Sequence, residues 1–518
     1  MTPAPDDRND RYARYVLGVL LLVYVCNFLD RQILSILAER IRADLGVSDA
    51  QLGFLYGTAF AVFFALFGIP LGRLADVWDR RRLIAIGLAL WSAMTASSGL
   101  TRNFGELAAA RIGVGVGEAS ATPAAHSLLS DYFPPSRRAT VLAMYASGIY
   151  LGAGLGLGLG GLVVQRWDAA WLGTTPPFGL RGWQVAFFIA GFPGLLLALW
   201  VNTLREPERG RNEGITTAPE PHPFRAFGRE LGTIVPPFTL LSLVIGGAGG
   251  RQIAANVLAA AAVAGVAALL ILWLGDPPQW IALGIGCYAA VSWVQSLARR
   301  DPPTFALVTG TPSLRFASIG FGLLAFVGYG IGFWTPPFFM RVHHLAPAQA
   351  GLILGGTAAA GGWLGTTCGG VVADRWRRTH PAGRLWVGTC GGLLTLPFAV
   401  AMLTTTSTPL ALLLAFPTTF ASSLWLGPAA STVQDLVLPR MRGSASAAFL
   451  LVATFIGLAL GPYTVGRLSV ALGDLRIGLL CALVSGVVGA GLLFLGGRHI
   501  AYDEASRLAR ARAAGEPA

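Results

Sequence analysis

The chain has 518 residues, 54% of them hydrophobic and only 12% charged, which excludes a soluble globular domain and reads as a polytopic helical membrane protein. The formal charge of +12 comes with no lysine, all 38 basic residues being Arg. With the N-terminus placed inside, most Arg fall in cytoplasmic loops, the bias of an inner-membrane protein, so the charge speaks for topology and not for nucleic-acid binding.

Repeated apolar runs of about 20 residues match a ~30 Å hydrocarbon core. They neither alternate nor stop near ten residues, so helices are expected and barrel strands are not. Six spans are predicted at 14–38, 51–75, 82–100, 106–130, 139–164 and 183–201. The polar N-terminus shows no cleavable signal, so the first span serves as the insertion signal. A Pro- and charge-rich stretch, 204–229, reads as a cytoplasmic linker. Six further spans follow at 316–341, 348–372, 385–403, 409–433, 444–465 and 476–495, then a short Arg-bearing tail.

Between the two sets lies an insert. Residues 252–274 and 279–297, joined by Gly275-Asp276-Pro277-Pro278, read as an extra helical hairpin. Residues 231–245 are apolar too, but a third crossing would turn Asp374–Arg378 and Arg440–Arg442 outward, against the charge bias. They are assigned to an interfacial helix. The expectation is therefore 14 spans, with domains at 1–203, 204–311, 312–500 and a tail at 501–518.

Of 26 acidic residues, only Asp30 and Glu118 fall deep inside predicted spans. Arg31 adjoins Asp30. Arg111 precedes Glu118 by seven residues, close to two helical turns, so the two share a face. A charge at the bilayer centre costs at least ~2.5–3.5 kcal/mol, so such groups face a protein-lined cavity and partner one another. This points to a membrane transporter with its moving proton in the first half. A static ion pair that sets helix register is the alternative.

The five cysteines lie in predicted spans without metal-ligand spacing, and no metal is expected. Gly156, Gly158 and Gly161 form a GxGxxG inside a span with no strand before it, which favours helix packing over dinucleotide binding. No GxSxG, HExxH or Walker A occurs, and no lysine is available for a Schiff base, so an enzyme is not expected and no cofactor beyond a proton gradient is implied.

The halves repeat. Gly72, Asp76, Arg80 and Arg81 after span two are echoed by Gly370, Asp374, Arg377 and Arg378 after the eighth core span. Pro123 and Pro134 are eleven apart, as are Pro428 and Pro439. Such repetition is the build of two six-helix halves around a pathway. The loop motif resembles the gate signature of the major facilitator superfamily, with Val77 and Asp79 as departures, and its Arg residues are expected to latch Asp76 at a cytoplasmic gate. The sequence Gly152-x-x-x-Gly156 resembles the superfamily's antiporter motif, with Leu157 where Pro is usual. A sharper resemblance is to the Spinster-like branch, carried by Asn27–Arg31, Ser48-x-x-Gln51-x-Gly53, Arg111–Ser120 and Phe133–Arg138.

That resemblance implies proton-linked movement of amphipathic lipids such as lysophospholipids or sphingoid phosphates, and the antiporter-like glycine motif favours export. It places Asp30 and Glu118 as protonatable groups, with Arg31 and Arg111 as their cationic partners. Arg31 or Arg111, once released, would take an anionic head group. Asn27, Thr122, His126 and Tyr145 are further cavity candidates in the first half, and Tyr329, Trp334 and Phe338 in the second; His126 also reads as a packing histidine. The expected partners are membrane lipid and an amphipathic or anionic small molecule, bound by a monomer. Rival readings are a carrier of small organic anions or drugs, since Arg takes a carboxylate as readily as a phosphate, and a non-transporting receptor or scaffold.

Overall fold

A backbone in lipid has no water to satisfy it, so an apolar run must close its own hydrogen bonds. The computed structural model, which describes residues 7–210, 221–236 and 238–517, does this with helices and has no strand among the described residues. The first nine helices are α1 (Asp7–Leu45), α2 (Asp49–Tyr56), α3 (Thr58–Val77), α4 (Arg80–Ser98), α5 (Phe104–Glu118), α6 (Ala121–Tyr132), α7 (Pro135–Ala146), α8 (Gly148–Ala170) and α9 (Gly182–Asn202). Next come α10 (Pro223–Ile234), α11 (Phe238–Ile245), α12 (Gly250–Leu274), α13 (Pro277–Arg300) and α14 (Pro302–Gly310). The rest are α15 (Pro312–Val342), α16 (Pro347–Arg377), α17 (Gly383–Thr404), α18 (Thr408–Ser423), α19 (Leu426–Asp435), α20 (Arg442–Val452), α21 (Leu460–Leu472) and α22 (Leu475–Ala513).

Among the described residues, 11 helical stretches are long and apolar enough to cross a bilayer, α12 and α13 included. The other three expected spans are helical but more polar or shorter. They are α4, which opens on three Arg; α5 with α6, interrupted just after Glu118; and the Gly- and Thr-rich α16. Several expected spans are broken rather than continuous. Gly57 separates α2 from α3, and a π-helical turn, Ala453–Ala459, separates α20 from α21. Thr58 Oγ1 donates to Ala459 O at 2.9 Å, so these two interruptions support each other. The segment expected as one interfacial helix at 231–245 holds the end of α10 and the short α11, with a bend and turn at 235–236. The expected linker lies partly outside the described residues.

Contacts group the chain into two units. Unit one holds Met1–Ile41, Phe67–Leu231 and Ala346–Gly355. In it α8 lies against α1 through Gly152, where a Cβ would come within 2.3 Å of Val25 O. The start of α16 joins this unit: the Ala348 amide donates to Gln165 Oε1 at 2.9 Å. Trp91, Trp183 and Phe187 are fully buried between α4, α5 and α9.

Unit two holds Arg42–Leu66, Gly232–Leu345 and Gly356–Ala518. Its core joins α15, α17, α19 and α22 through Phe321, Leu324, Leu385, Val433 and Leu493. Helix α2 packs on α21, and Asp49 at its start is held by Arg341 through two bonds of 2.6 Å and by Ser469 at 2.7 Å. The hairpin docks here. Tyr463 donates to Asp276 Oδ2 at 3.0 Å, and Asp276 sits at φ +54° in the tip. The Arg-bearing tail expected at 501–518 is helical for most of its length. Helix α22 runs on to Ala513, and Asp503 accepts from both the amide and the hydroxyl of Ser313, at 2.8 and 2.6 Å.

Candidate functional site

Apolar faces bring α1, α4 and α5 together in unit one, and the charged residues of the first half meet there. Asp30 and Glu118 are each 1% exposed, Arg31 is 7% exposed and Arg111 0%. Arg31 Nη2 donates to Glu118 Oε2 at 2.7 Å across α1 and α5. Arg111 Nη1 reaches the Asp30 backbone carbonyl at 3.5 Å, the edge of hydrogen-bond range. Thr95 Oγ1, on α4, donates to Asp30 Oδ2 at 3.3 Å. The Arg31 guanidinium also lies 4.7 Å from the Phe28 ring centroid. Two carboxylates and two guanidiniums thus share one dry volume.

One oxygen of each carboxylate, Asp30 Oδ1 and Glu118 Oε1, is buried with no hydrogen-bond partner among the described residues. A buried ionised oxygen without a donor is costly, whereas a proton placed on it removes the charge. The helix is interrupted at Ala119 and Ser120, right after Glu118, which leaves this turn less regular than a continuous span. Asn27 is buried at 3% beside the same group.

The other first-half candidates gather on an aromatic face. Tyr145 stacks on Tyr24 at 4.3 Å between centroids, and His126 meets Tyr145 edge-on at 5.5 Å. Thr122, half-buried, stands one turn before His126. In unit two, Trp334 and Phe338 are fully buried, with Trp334 Nε1 donating to Pro462 O at 2.8 Å. Trp334 thereby ties α15 to α21, and Phe338 meets Phe339 and His343 edge-on, each at 5.5 Å between centroids. Tyr329 is partly buried at the edge of the unit-two core.

The gate motifs are engaged, but with other partners than expected. Arg80, fully buried, pairs with Asp131 and donates to Glu206 Oε1 at 2.7 Å. Arg81 donates to Asp79 at 3.2 Å and to Leu204 O at 2.6 Å. Neither bonds Asp76, whose carbonyl instead accepts from Arg209 at 2.5 Å. The expected Arg–Asp76 latch is therefore corrected: the acids come from the end of α6 and from the start of the linker, which is docked as a strap. Asp131 Oδ1 also accepts from the Gly210 amide at 3.1 Å.

The second copy repeats the scheme. Arg377 donates to Glu504 at 2.7 Å and lies 3.8 Å from Asp435. Asp374 pairs with Arg384 at 3.0 Å, and Arg378 is exposed. Gly72 and Gly370 are not the tight glycines: a Cβ on Gly72 meets only Pro123 at 4.0 Å and one on Gly370 meets nothing within 4 Å, whereas one on Gly369 would fall 2.0 Å from Leu424 O. The sequence reading missed Asp131, Glu206, Asp435 and Glu504. The signal was there: an acid shortly before the second proline of each Pro pair, and another just past the sixth span of each half.

Comparison with known proteins bears on the fold and the family. The chain is 29% identical to an MFS-type efflux pump of Mycolicibacterium smegmatis over 91% of its own length and 88% of that protein. A crystal structure of a bacterial homologue of the human lysosomal transporter Spinster, in an inward-facing and unoccupied conformation, superposes with a TM-score of 0.71 at 26% identity, covering 95% of this chain and 98% of that one. A probable galactarate/D-glucarate transporter of Bacillus subtilis is 30% identical over 40% of the chain and 44% of its own length. The family profile of the Major Facilitator Superfamily matches residues 20–462. With its helical repeat and its buried charges read together with that match, the chain belongs to the Major Facilitator Superfamily of membrane transporters.

Proposed function

We propose that this protein is a proton-coupled secondary transporter that exports an amphipathic, lipid-like anion of the lysophospholipid or sphingoid-phosphate class by alternating access. It has fourteen spans and works as a monomer in a bacterial inner membrane, with both termini cytoplasmic. The observation that carries the reading is the Arg31–Glu118 pair, buried at 2.7 Å beside Asp30 and Arg111. Each carboxylate keeps one oxygen free of donors, a place for a proton. Protonation of Glu118 dissolves its attraction for Arg31, and the released guanidinium has the planar fork that suits a phosphate. Proton uptake and head-group binding then exclude or admit each other at one spot. Similarity to a Spinster homologue favours the lipid class.

A second reading is export of a small organic anion, favoured by the partial likeness to an acid-sugar transporter. Purified protein in liposomes under an imposed pH gradient separates the two. Gradient-driven movement of a labelled lysophospholipid, lost in Asp30→Asn and Glu118→Gln, is the expected result. Movement of a sugar acid without the lipid discards the lipid class. Unchanged pH dependence in both variants removes the coupling site.

A further inference from the structure

The inserted hairpin plays no part in the transport reading, yet it is fastened along the α20–α21 span. All residues of this contact belong to unit two. Helix α13 has 24 residues, ~36 Å of helix, enough to cross the hydrocarbon core. At its start, Asp276 Oδ2 accepts from Tyr463 at 3.0 Å and lies 3.6 Å from Arg467 Nε, while Arg467 Nη2 donates to Leu274 O at 2.9 Å. Trp280 meets the Tyr463 ring edge-on at 5.5 Å between centroids. At its other end, Asp301 is held at 2.7 and 3.1 Å by Arg440, which stands just before α20. Helix α13 therefore runs antiparallel to α20–α21, tied at both ends and bridging the π-helical turn between them.

Its middle reaches a second neighbour. Gln279, Ala282, Gly286 and Ala289 are spaced to share one face of α13, and all are buried. A Cβ on Gly286 would come 3.0 Å from Phe455 Cζ, in the π-helical turn, and 3.1 Å from Val62 Cγ1, on α3. This face thus sits astride the seam where α2 and the start of α3 meet α20–α21. The seam itself is tight: Thr58 bonds Ala459 O, and a Cβ on Gly53 or Gly57 would fall 2.4 Å from Pro462 O or 2.5 Å from Leu458 O.

The two sides are held differently. Toward α20–α21 the hairpin offers charge and hydrogen bonds at both ends. Toward α3 it offers van der Waals contact, Gly286 against Val62. The same face carries Gln279, 1% exposed, with neither atom of its side-chain amide partnered among the described residues. An unpaired amide in apolar surroundings is destabilising, so this contact is opposed from within. From this asymmetry we propose that the inserted hairpin is a clamp on the seam, carried by α20–α21, whose small-residue face leaves Val62 as α2 and α3 part from α21. Gln279 keeps the clamp releasable, because its amide gains a partner once the face is exposed. The inference rests on the alternating-access cycle proposed above, and needs neither the lipid substrate nor the proton site.

The test reads seam opening directly, in full-length protein with its five native cysteines replaced by Ala and Ser48→Cys added. Position 48 adjoins Asp49, whose carbonyl would lie 2.2 Å from a Cβ on Gly466 of α21, so parting of the seam exposes it to a water-soluble maleimide. Val62→Cys and Gly286→Cys lie within disulfide reach. Oxidising that pair is expected to lower labelling at position 48 several-fold, and reduction to restore it. Gln279→Leu removes the unpaired amide and lowers labelling about three-fold or more. Gly286→Val overfills the contact with Val62 and Phe455 and raises it. Unchanged labelling in the bridged protein overturns the clamp. If the pair does not fold or bridge, Gln279→Leu decides: a raised thermal midpoint with unchanged labelling marks a static insert and overturns it. Lowered labelling in bridged protein that still shows gradient-driven flux of labelled lysophospholipid removes the alternating-access reading and leaves the clamp standing.

Discussion

Arg31 and Glu118 form the most consequential pair at residue scale. Removing one partner of a buried ion pair costs about 3–5 kcal/mol, because the other charge is left stranded, whereas removing both is far milder. Arg31→Gln is therefore expected to lower the thermal midpoint clearly, and Arg31→Gln with Glu118→Gln to recover most of the loss. Double-mutant unfolding in detergent measures this. Additive losses would mean that the pair contributes no coupling. The sequence singled out all four charged residues of this cluster, because a charge in an apolar span must be compensated. It did not say that Arg31, and not only Arg111, sits on Glu118, since seven-residue spacing reports a shared helix face and nothing of the facing helix.

Glycine and the terminal helix decide matters at the scale of elements. A valine at 152 would drive its side chain into Val25 O, which a bare Cβ already meets at 2.3 Å, so α8 must move off α1. Overpacking of this kind costs about 1–3 kcal/mol. Gly152→Val should unfold several degrees lower than Gly18→Ala, where a Cβ meets nothing within 4 Å. The C-terminal part of α22 is equally structural. It supplies Asp503 to Ser313, Arg510 to Thr311 at 2.7 Å and Glu504 to Arg377. Ending the chain at Ile500 removes all three, and a lowered midpoint with faster proteolysis of the α14–α15 region is expected.

The neighbouring Arg440–Asp301 tie has a definite pH sense. Hydrogen bonds from Arg440 hold the Asp301 carboxyl below the usual carboxylate range. A depressed folded value means the contribution is complete above the unfolded value of about 3.9 and is lost as pH falls through the folded one. Between pH 5 and 8 the effect of Arg440→Gln on stability should be constant, as unfolding across that range would show. This tie was invisible in the sequence, because Asp301 and Arg440 are 139 positions apart.

On the scale of the whole molecule, two short segments keep company outside their own sequence half. Residues 42–66 belong by contact with unit two, and 346–355 with unit one. Asp49, held by Arg341 and Ser469, is the polar anchor of the first exchange. In the alternating-access cycle proposed above, this tie opens. Arg341→Gln should therefore increase the labelling of a cysteine introduced at Ser48 and alter the transport rate, while the apparent pH midpoint, set elsewhere, stays put. A labelling rate equal to that of the native protein would show that the tie does not limit opening.

Composition, hydropathy and repetition by themselves determined the helical class, the two related halves, the inserted hairpin and the cluster that carries charge into the membrane. They do so because lipid imposes one backbone solution and punishes every uncompensated charge, so these features are written locally. Only the tertiary structure decided the partners. Arg80 takes Asp131 and Glu206, Arg377 takes Glu504, and the tail becomes a helix. A guanidinium pairs with whichever carboxylate packing brings within reach, and that distance is set by helices far apart in the chain.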